Sequence, residues 1–422
     1  MKKFLLKHPL LRTLFELKGN PRISVYTEPM WGLSMNLCLP YATVYMLSFG
    51  IKDIEVGIIT SIFMFSQMIF AFLSGAIIDK FGRRLSTAIF DFLAWCIPCL
   101  IWASSQGFWF FVVAALLNGT MRVTTVSWTC LLIEDAPKEK TTHIFSWILI
   151  FANFSAIFAP VSSILVSRLT LVPAIRILYI NAFIIMTLKI IILYIFSTET
   201  KVGKIKREES RGMSWFQMLS GYKASFQKII SSHGTKFAIV ISILIEIVTT
   251  IGMVFWQVIA SRYIGIPDTL LPIFPMVKSI LTIIFFFTII AHMNQSKLKW
   301  PLYGGFISTI IGSLLLIAIS RPGFWGYFLL SISIIFESLG MAILATLRES
   351  IVAIHVDPED RSSIMGILQT IVMLISMPFG FIAGMLSDIS RALPFILSIG
   401  LLLIGILATS IYHRDSSKLI SD

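Results

Sequence analysis

The stretch Gly75-Ala76-Ile77-Ile78-Asp79-Lys80-Phe81-Gly82-Arg83-Arg84 decides the fold. Long apolar runs flank it on both sides, yet four charged side chains and two glycines crowd into it. A gap of that composition is a tight turn between two membrane helices, on the side where positive charge collects. Gly75 and Gly82 let backbones approach closely and turn sharply. Arg83 and Arg84 can pair with Glu134 or Asp135 at the end of the fourth apolar run. Asp79 suits the positive N-terminal end of a helix opening near Ser362.

Working outward, the chain is that of a membrane protein. Hydrophobic residues make up 56% and charged residues 13%, with mean hydropathy +0.87. A soluble chain carries roughly twice that charge. Twelve apolar runs are each long enough to cross a bilayer core of about 30 Å. They fall near 28–50, 54–78, 85–104, 107–133, 142–167, 173–197, 237–262, 267–292, 299–320, 323–354, 363–388 and 391–412. The runs are continuous rather than alternating, so they are helices and not barrel strands. An even count puts both ends on one side. Most of the 34 Lys and Arg fall in the loops of that side, which places both termini in the cytoplasm of a multi-pass protein of the cytoplasmic membrane. The net charge of +12 is accounted for by those loops facing anionic lipid, and no nucleic-acid partner is expected.

The chain divides into an N-terminal segment 1–27, six helices over 28–197, a polar linker 198–236, six helices over 237–412 and a tail 413–422. Within the linker, Trp215, Leu219, Tyr222, Phe226 and Ile229 recur at helical spacing, the pattern of an amphipathic helix on the inner membrane surface. Aligning Pro137 with Pro358 also aligns Lys140 with Arg361 and Gly119 with Gly340, so the halves repeat. Cys38, Cys96, Cys99 and Cys130 all lie within predicted spans, where packing is their expected role.

The pattern G-x-x-x-D-[KR]-x-G-R-R at 75–84 resembles the signature loop between the second and third spans of the major facilitator superfamily. The resemblance covers essentially the whole chain. It implies an all-α membrane fold of two six-helix bundles related by a pseudo-two-fold axis, with alternating access to a site between them. It also implies that Gly75, Asp79, Lys80, Gly82, Arg83, Arg84, Glu134 and Asp135 form a latch that holds the halves together on the cytoplasmic side.

In that fold, spans one, four, seven and ten line the central cavity. A charge at the bilayer centre costs on the order of 2.5–3.5 kcal/mol, so buried charges there face a cavity or each other. Arg122 lies in span four, Glu246 in seven and Glu337 in ten, with Asn36 in one and Gln257 in seven. Glu337 and Glu246 are the expected proton-coupling groups. Arg122 is their expected counter-charge or an anchor for an anionic substrate group. Lys278 is a further cavity candidate, while Asp91 and Lys189, on less central faces, are expected to be structural.

The stretch Ala159-Pro160-Val161-Ser162-Ser163-Ile164 keeps part of the G-P-x-x-G-G pattern of proton-driven exporters. The P-E-S-P-like run of sugar symporters is absent, with Ser197-Thr198-Glu199-Thr200 only a remnant. Histidines are scattered, with no metal-ligand spacing and no clustered catalytic groups, so no enzyme, cofactor or metal is expected. The expectation is a monomeric secondary transporter whose partners are a small-molecule substrate, protons and membrane lipid. The proton gradient would drive efflux. An uptake symporter, a lipid flippase or a non-transporting sensor on the same fold are the alternatives.

Overall fold

The structure, a computed structural model, describes residues 9–136, 141–214, 217, 233–289, 299–319, 323–355 and 361–418. Trp215, Leu219, Tyr222, Phe226 and Ile229 of the amphipathic stretch and most of the Pro137/Pro358 repeat lie outside them. The described residues are helical and form no strands. Among the described residues eleven helices are long and apolar enough to cross a membrane. The first span is the exception, because Asn20, Arg22 and Glu28 dilute its apolar character.

That first span begins at Gly19 rather than 28 and ends at Leu47. It is helical over Gly19–Cys38, tightens over Leu39–Tyr41, and resumes over Ala42–Leu47. The second span, Asp53–Phe81, runs through Gly75 and Lys80 and stops at Gly82. Gly82 alone makes the turn, at φ +87°, and Arg83 starts the third span. Gly75 is therefore a helix residue and not a turn residue. A backbone N–H at Gly82 still reaches Ile78, closing the last turn, and the left-handed φ that follows is one only glycine adopts freely.

The remaining spans follow the predicted order, with two interruptions of note. The third changes to a π-helical turn over Phe92–Cys96, directly after Asp91. The fifth breaks between Ala156 and Val161, around Pro160. The sixth span is Leu171–Phe196 and the seventh begins at His233. The eighth to eleventh are Ile273–Thr288, Lys299–Ile317, Phe324–His355 and Arg361–Ile389, and the twelfth runs from Leu393 to Lys418, beyond the predicted 412. With an even number of spans both chain ends share one face, here called the terminal face; the other is the far face.

The two halves meet along a seam on the far side. Spans two and eleven cross at glycines: a Cβ on Gly57 would stand 2.5 Å from the Gly380 carbonyl oxygen and 2.8 Å from Gly384 Cα. Small residues at such crossings let helices touch backbone to backbone, the strongest packing available in lipid. Ser61 Oγ donates to the Met377 carbonyl at 2.7 Å and accepts the Phe381 N–H at 2.8 Å. At the far end of the seam Asp53, buried to 2% exposure, pairs with Arg391 and accepts a hydrogen bond from Ser387 Oγ.

Spans one and seven meet at the break in span one. Gln257 Oε1 accepts the Thr43 N–H at 3.0 Å, and its Nε2 donates to the Leu39 carbonyl at 2.9 Å. In an uninterrupted α-helix those two backbone groups would bond each other. The amide of Gln257 is inserted into that bond, a recognised cause of helix bending. Thr43 Oγ1 adds a third link, to the Val254 carbonyl at 3.0 Å.

Candidate functional site

The signature turn is embedded in a network on the terminal face. Arg83 is buried there; its Nη1 bonds Asp79 at 2.9 Å and its Nε bonds Glu134 at 3.2 Å. Arg84 donates to the Tyr194 carbonyl at 2.7 Å and lies 4.2 Å over the Tyr194 ring. The predicted Arg83–Glu134 pairing is thus present, and Asp135 accepts the Lys201 N–H at 3.5 Å. The partners just named belong to the first half or to the start of the linker. Asp79 pairs with Arg83, and its carbonyl accepts from Ser210 Oγ at 2.9 Å. The side chain of Ser362, its predicted neighbour, lies outside the described residues. In this conformation the turn ties the first half to the linker.

Glu199 is a member of this network that motif and spacing do not single out. Its carboxylate accepts the backbone N–H of Arg83 at 3.0 Å and of Arg84 at 3.2 Å. It therefore supplies the anion at the start of span three, where unsatisfied N–H groups and the helix dipole favour one. No side chain from span three itself caps that end, because Gly82 precedes it. Thr200 bonds Glu134 and caps the linker helix Lys201–Glu209 through the Gly203 N–H. Glu199→Gln halves the acceptor capacity and removes the charge. We expect a loss of about 1–2 kcal/mol, read as a drop in thermal unfolding temperature, while Glu208→Gln on the exposed face of the linker helix leaves it unchanged.

Deeper in the membrane, the predicted cavity charges are sorted into pairs. Glu337 bonds Lys278 Nζ at 2.9 Å, across spans ten and eight. Glu246 bonds Arg348 Nη1 at 3.3 Å, across spans seven and ten. Both pairs lie within the second half, and all four side chains are partly exposed. Lys278 also stands 5.4 Å over the Trp256 ring, which packs on Phe274 at 4.7 Å. The expectation that Arg122 serves as the direct counter-charge of Glu337 gives way here, because a lysine two spans away on the same half takes that carboxylate.

Among the described residues Arg122 has no carboxylate partner. Its Nη2 meets Met373 Sδ of span eleven at 3.8 Å, and its Nε is buried without a hydrogen bond. Glu246 and Arg348 are its electrostatic neighbours, one attracting and one repelling. Asn36 bonds its own helix at the Gly32 carbonyl, and Gln257 serves the far-side seam rather than the central charges. Asp91 and Lys189 form a buried pair at 3.3 Å, with side-chain exposures of 1% and 5%. Among the described residues no group of His, Cys, Asp and Glu could hold a metal ion.

Comparison with known proteins agrees with this architecture. The profile of the Major Facilitator Superfamily matches residues 30–374. No curated protein sequence is matched. Among solved structures, a point mutant of the nucleoside transporter NupG superposes with TM-score 0.69 at 16% identity, covering 92% of this chain and 99% of its own. The human organic anion transporter MFSD10 (TETRAN) gives TM-score 0.68 at 15% identity, covering 95% and 100%. A POT family transporter in complex with 5-aminolevulinic acid gives 0.69 at 13%, covering 94% and 96%. At these identities the likeness establishes the fold, while the profile match over most of the chain establishes the family. The chain belongs to the major facilitator superfamily, as a multi-pass membrane transporter and not an enzyme.

Proposed function

We propose that this carrier exports a small solute bearing an anionic group, in exchange for protons, across the cytoplasmic membrane, with both termini in the cytoplasm. One observation carries the reading: Arg122, facing the second half, has a thioether and, among the described residues, no carboxylate within bonding distance. A thioether is a weak acceptor, and a buried cation lacking hydrogen bonds is costly. An anionic group of the solute would complete its shell between the two halves, where carriers of this build hold their substrates. The Lys278–Glu337 and Arg348–Glu246 pairs are each neutral. Protonating Glu337 removes the carboxylate charge that Lys278 faces, which links proton and solute occupancy. The rocking bodies are the six-helix sets 28–197 and 237–412. The basic loops support the cytoplasmic assignment of the terminal face, and the partial exporter pattern at Ala159–Ile164 supports the direction.

The test is solute-induced proton release from energised everted vesicles, with organic anions, cationic drugs and sugars as the panel. Wild type is expected to respond to organic anions. Arg122→Gln removes a charge-assisted contact of about 1.5–3 kcal/mol, a roughly 10- to 150-fold loss of apparent affinity, and Arg122→Lys recovers part of it. A response confined to sugars or cations would overturn the anion assignment. Silence to all compounds, with insertion verified, would overturn export and favour uptake, lipid flipping or sensing.

A further inference from the structure

A second unbalanced charge lies in the first half, away from the central cavity. Glu28 of span one is half-buried and makes no hydrogen bond or ion pair among the described residues. Its electrostatic neighbours are Lys189 of span six and Asp91 of span three. Lys189 is already bonded to Asp91 at 3.3 Å. One cation thus faces two carboxylates.

The depth of this trio follows from three contacts on the terminal face. Asn20 and Thr198 bond each other twice, at 2.9 Å and 2.8 Å, and fix the level of spans one and six. Glu199 on Arg83 fixes span three at the same level. Glu28 lies eight residues beyond Asn20, Asp91 eight beyond Arg83, and Lys189 eight or nine before Ser197 and Thr198. At 1.5 Å per residue each is about 12 Å along its helix from the level of those contacts. The three side chains therefore form one layer at hydrocarbon depth, where a net negative charge is expensive.

We infer that Glu28, with the Asp91–Lys189 pair, forms a proton-binding site that holds one exchangeable proton. Two carboxylates beside one ammonium are neutral only when one of them is protonated. Glu28 is the member with a free acceptor edge and partial exposure, so it offers the access path. The charged groups reaching it are Lys189 and Asp91. Cys96 reaches Lys189 from the π-helical turn that begins directly after Asp91. Such turns recur at functional sites, and here Asn118 Nδ2 secures the turn through the Ala94 carbonyl at 2.5 Å. Arg122, on neighbouring span four, faces Met373, Glu246 and Arg348 instead. A role for this proton in driving transport rests on the export reading; its residence at Glu28 does not.

The experiment is pH-difference infrared spectroscopy of the full-length protein in lipid bilayers. Wild type should show a protonated-carboxyl stretching band that Glu28→Gln loses and Glu337→Gln keeps. Glu28→Asp should keep the band at a shifted position, which guards against loss through misfolding. A difference spectrum left unchanged by Glu28→Gln would overturn the site. A band removed by sodium chloride at constant pH would assign the pocket to a metal cation and overturn it equally. Loss of the band in Glu28→Gln, in a wild type that moves none of the tested solutes, would uphold the proton site while the export reading fails.

Discussion

Lys189→Met should destabilise the protein by about 3–5 kcal/mol, while Asp91→Asn should cost far less. Lysine and aspartate are at most 5% exposed and bonded to each other, so simple pair-breaking would make the two losses alike. The layer is not a simple pair. Removing the ammonium leaves Asp91 and Glu28 as two carboxylates at hydrocarbon depth with no cation. Removing the aspartate leaves Lys189 with Glu28 in electrostatic reach, and a side-chain shift re-forms the pair. Thermal unfolding of both variants in the same detergent measures the difference. Equal losses would show that Glu28 does not act on Lys189.

Gly57→Leu should hold the far face open. The nearest atoms to a new Cβ are the Gly380 carbonyl oxygen and Gly384 Cα, both backbone, and backbone cannot yield as a side-chain tip can. Overpacking of this kind costs on the order of 1–3 kcal/mol, and about 1.4 kcal/mol is a tenfold change in a two-state ratio. The cost falls only on the conformation in which spans two and eleven touch, so the substitution changes the balance of states more than overall stability. Spin labels at Lys52 and Ala392, on opposite sides of the seam, should shift to longer separations by electron–electron distance measurement. An unchanged distance distribution, with transport intact, would show that the crossing tolerates a side chain.

Much of this architecture is legible in the sequence because lipid imposes it. Continuous apolar runs become helices, and the clustering of Asp79, Lys80, Arg83 and Arg84 between two runs marks a turn. What sequence does not carry is rotation. Spacing places Glu337 and Glu246 in mid-span, but which cation each meets depends on how spans seven, eight and ten turn about their axes. Lys278 and Arg348 are the outcome of that geometry. Glu28 escapes notice for a related reason. Its apolar run opens at residue 28, so the glutamate reads as a border residue; the helix begins at Gly19, and the Asn20–Thr198 contact ties it to span six eight residues earlier. Glu199 reads as a remnant because its partners are backbone N–H groups of Arg83 and Arg84, and backbone leaves no mark in a sequence. The break at Leu39–Tyr41 is hinted at by Pro40, but the group that stabilises it comes from a helix more than two hundred residues away.

That break gives the first span a property of its own. The carbonyl of Leu39 and the N–H of Thr43 are natural partners held apart by a single amide from the other half of the molecule. When the halves part and Gln257 withdraws, the two groups need no water and no new neighbour, because they can bond each other. Opening of the seam is expected to straighten the span, and closing to bend it. Its curvature becomes a record of which face of the carrier is shut, and part of the free energy lost at the seam returns inside a single helix.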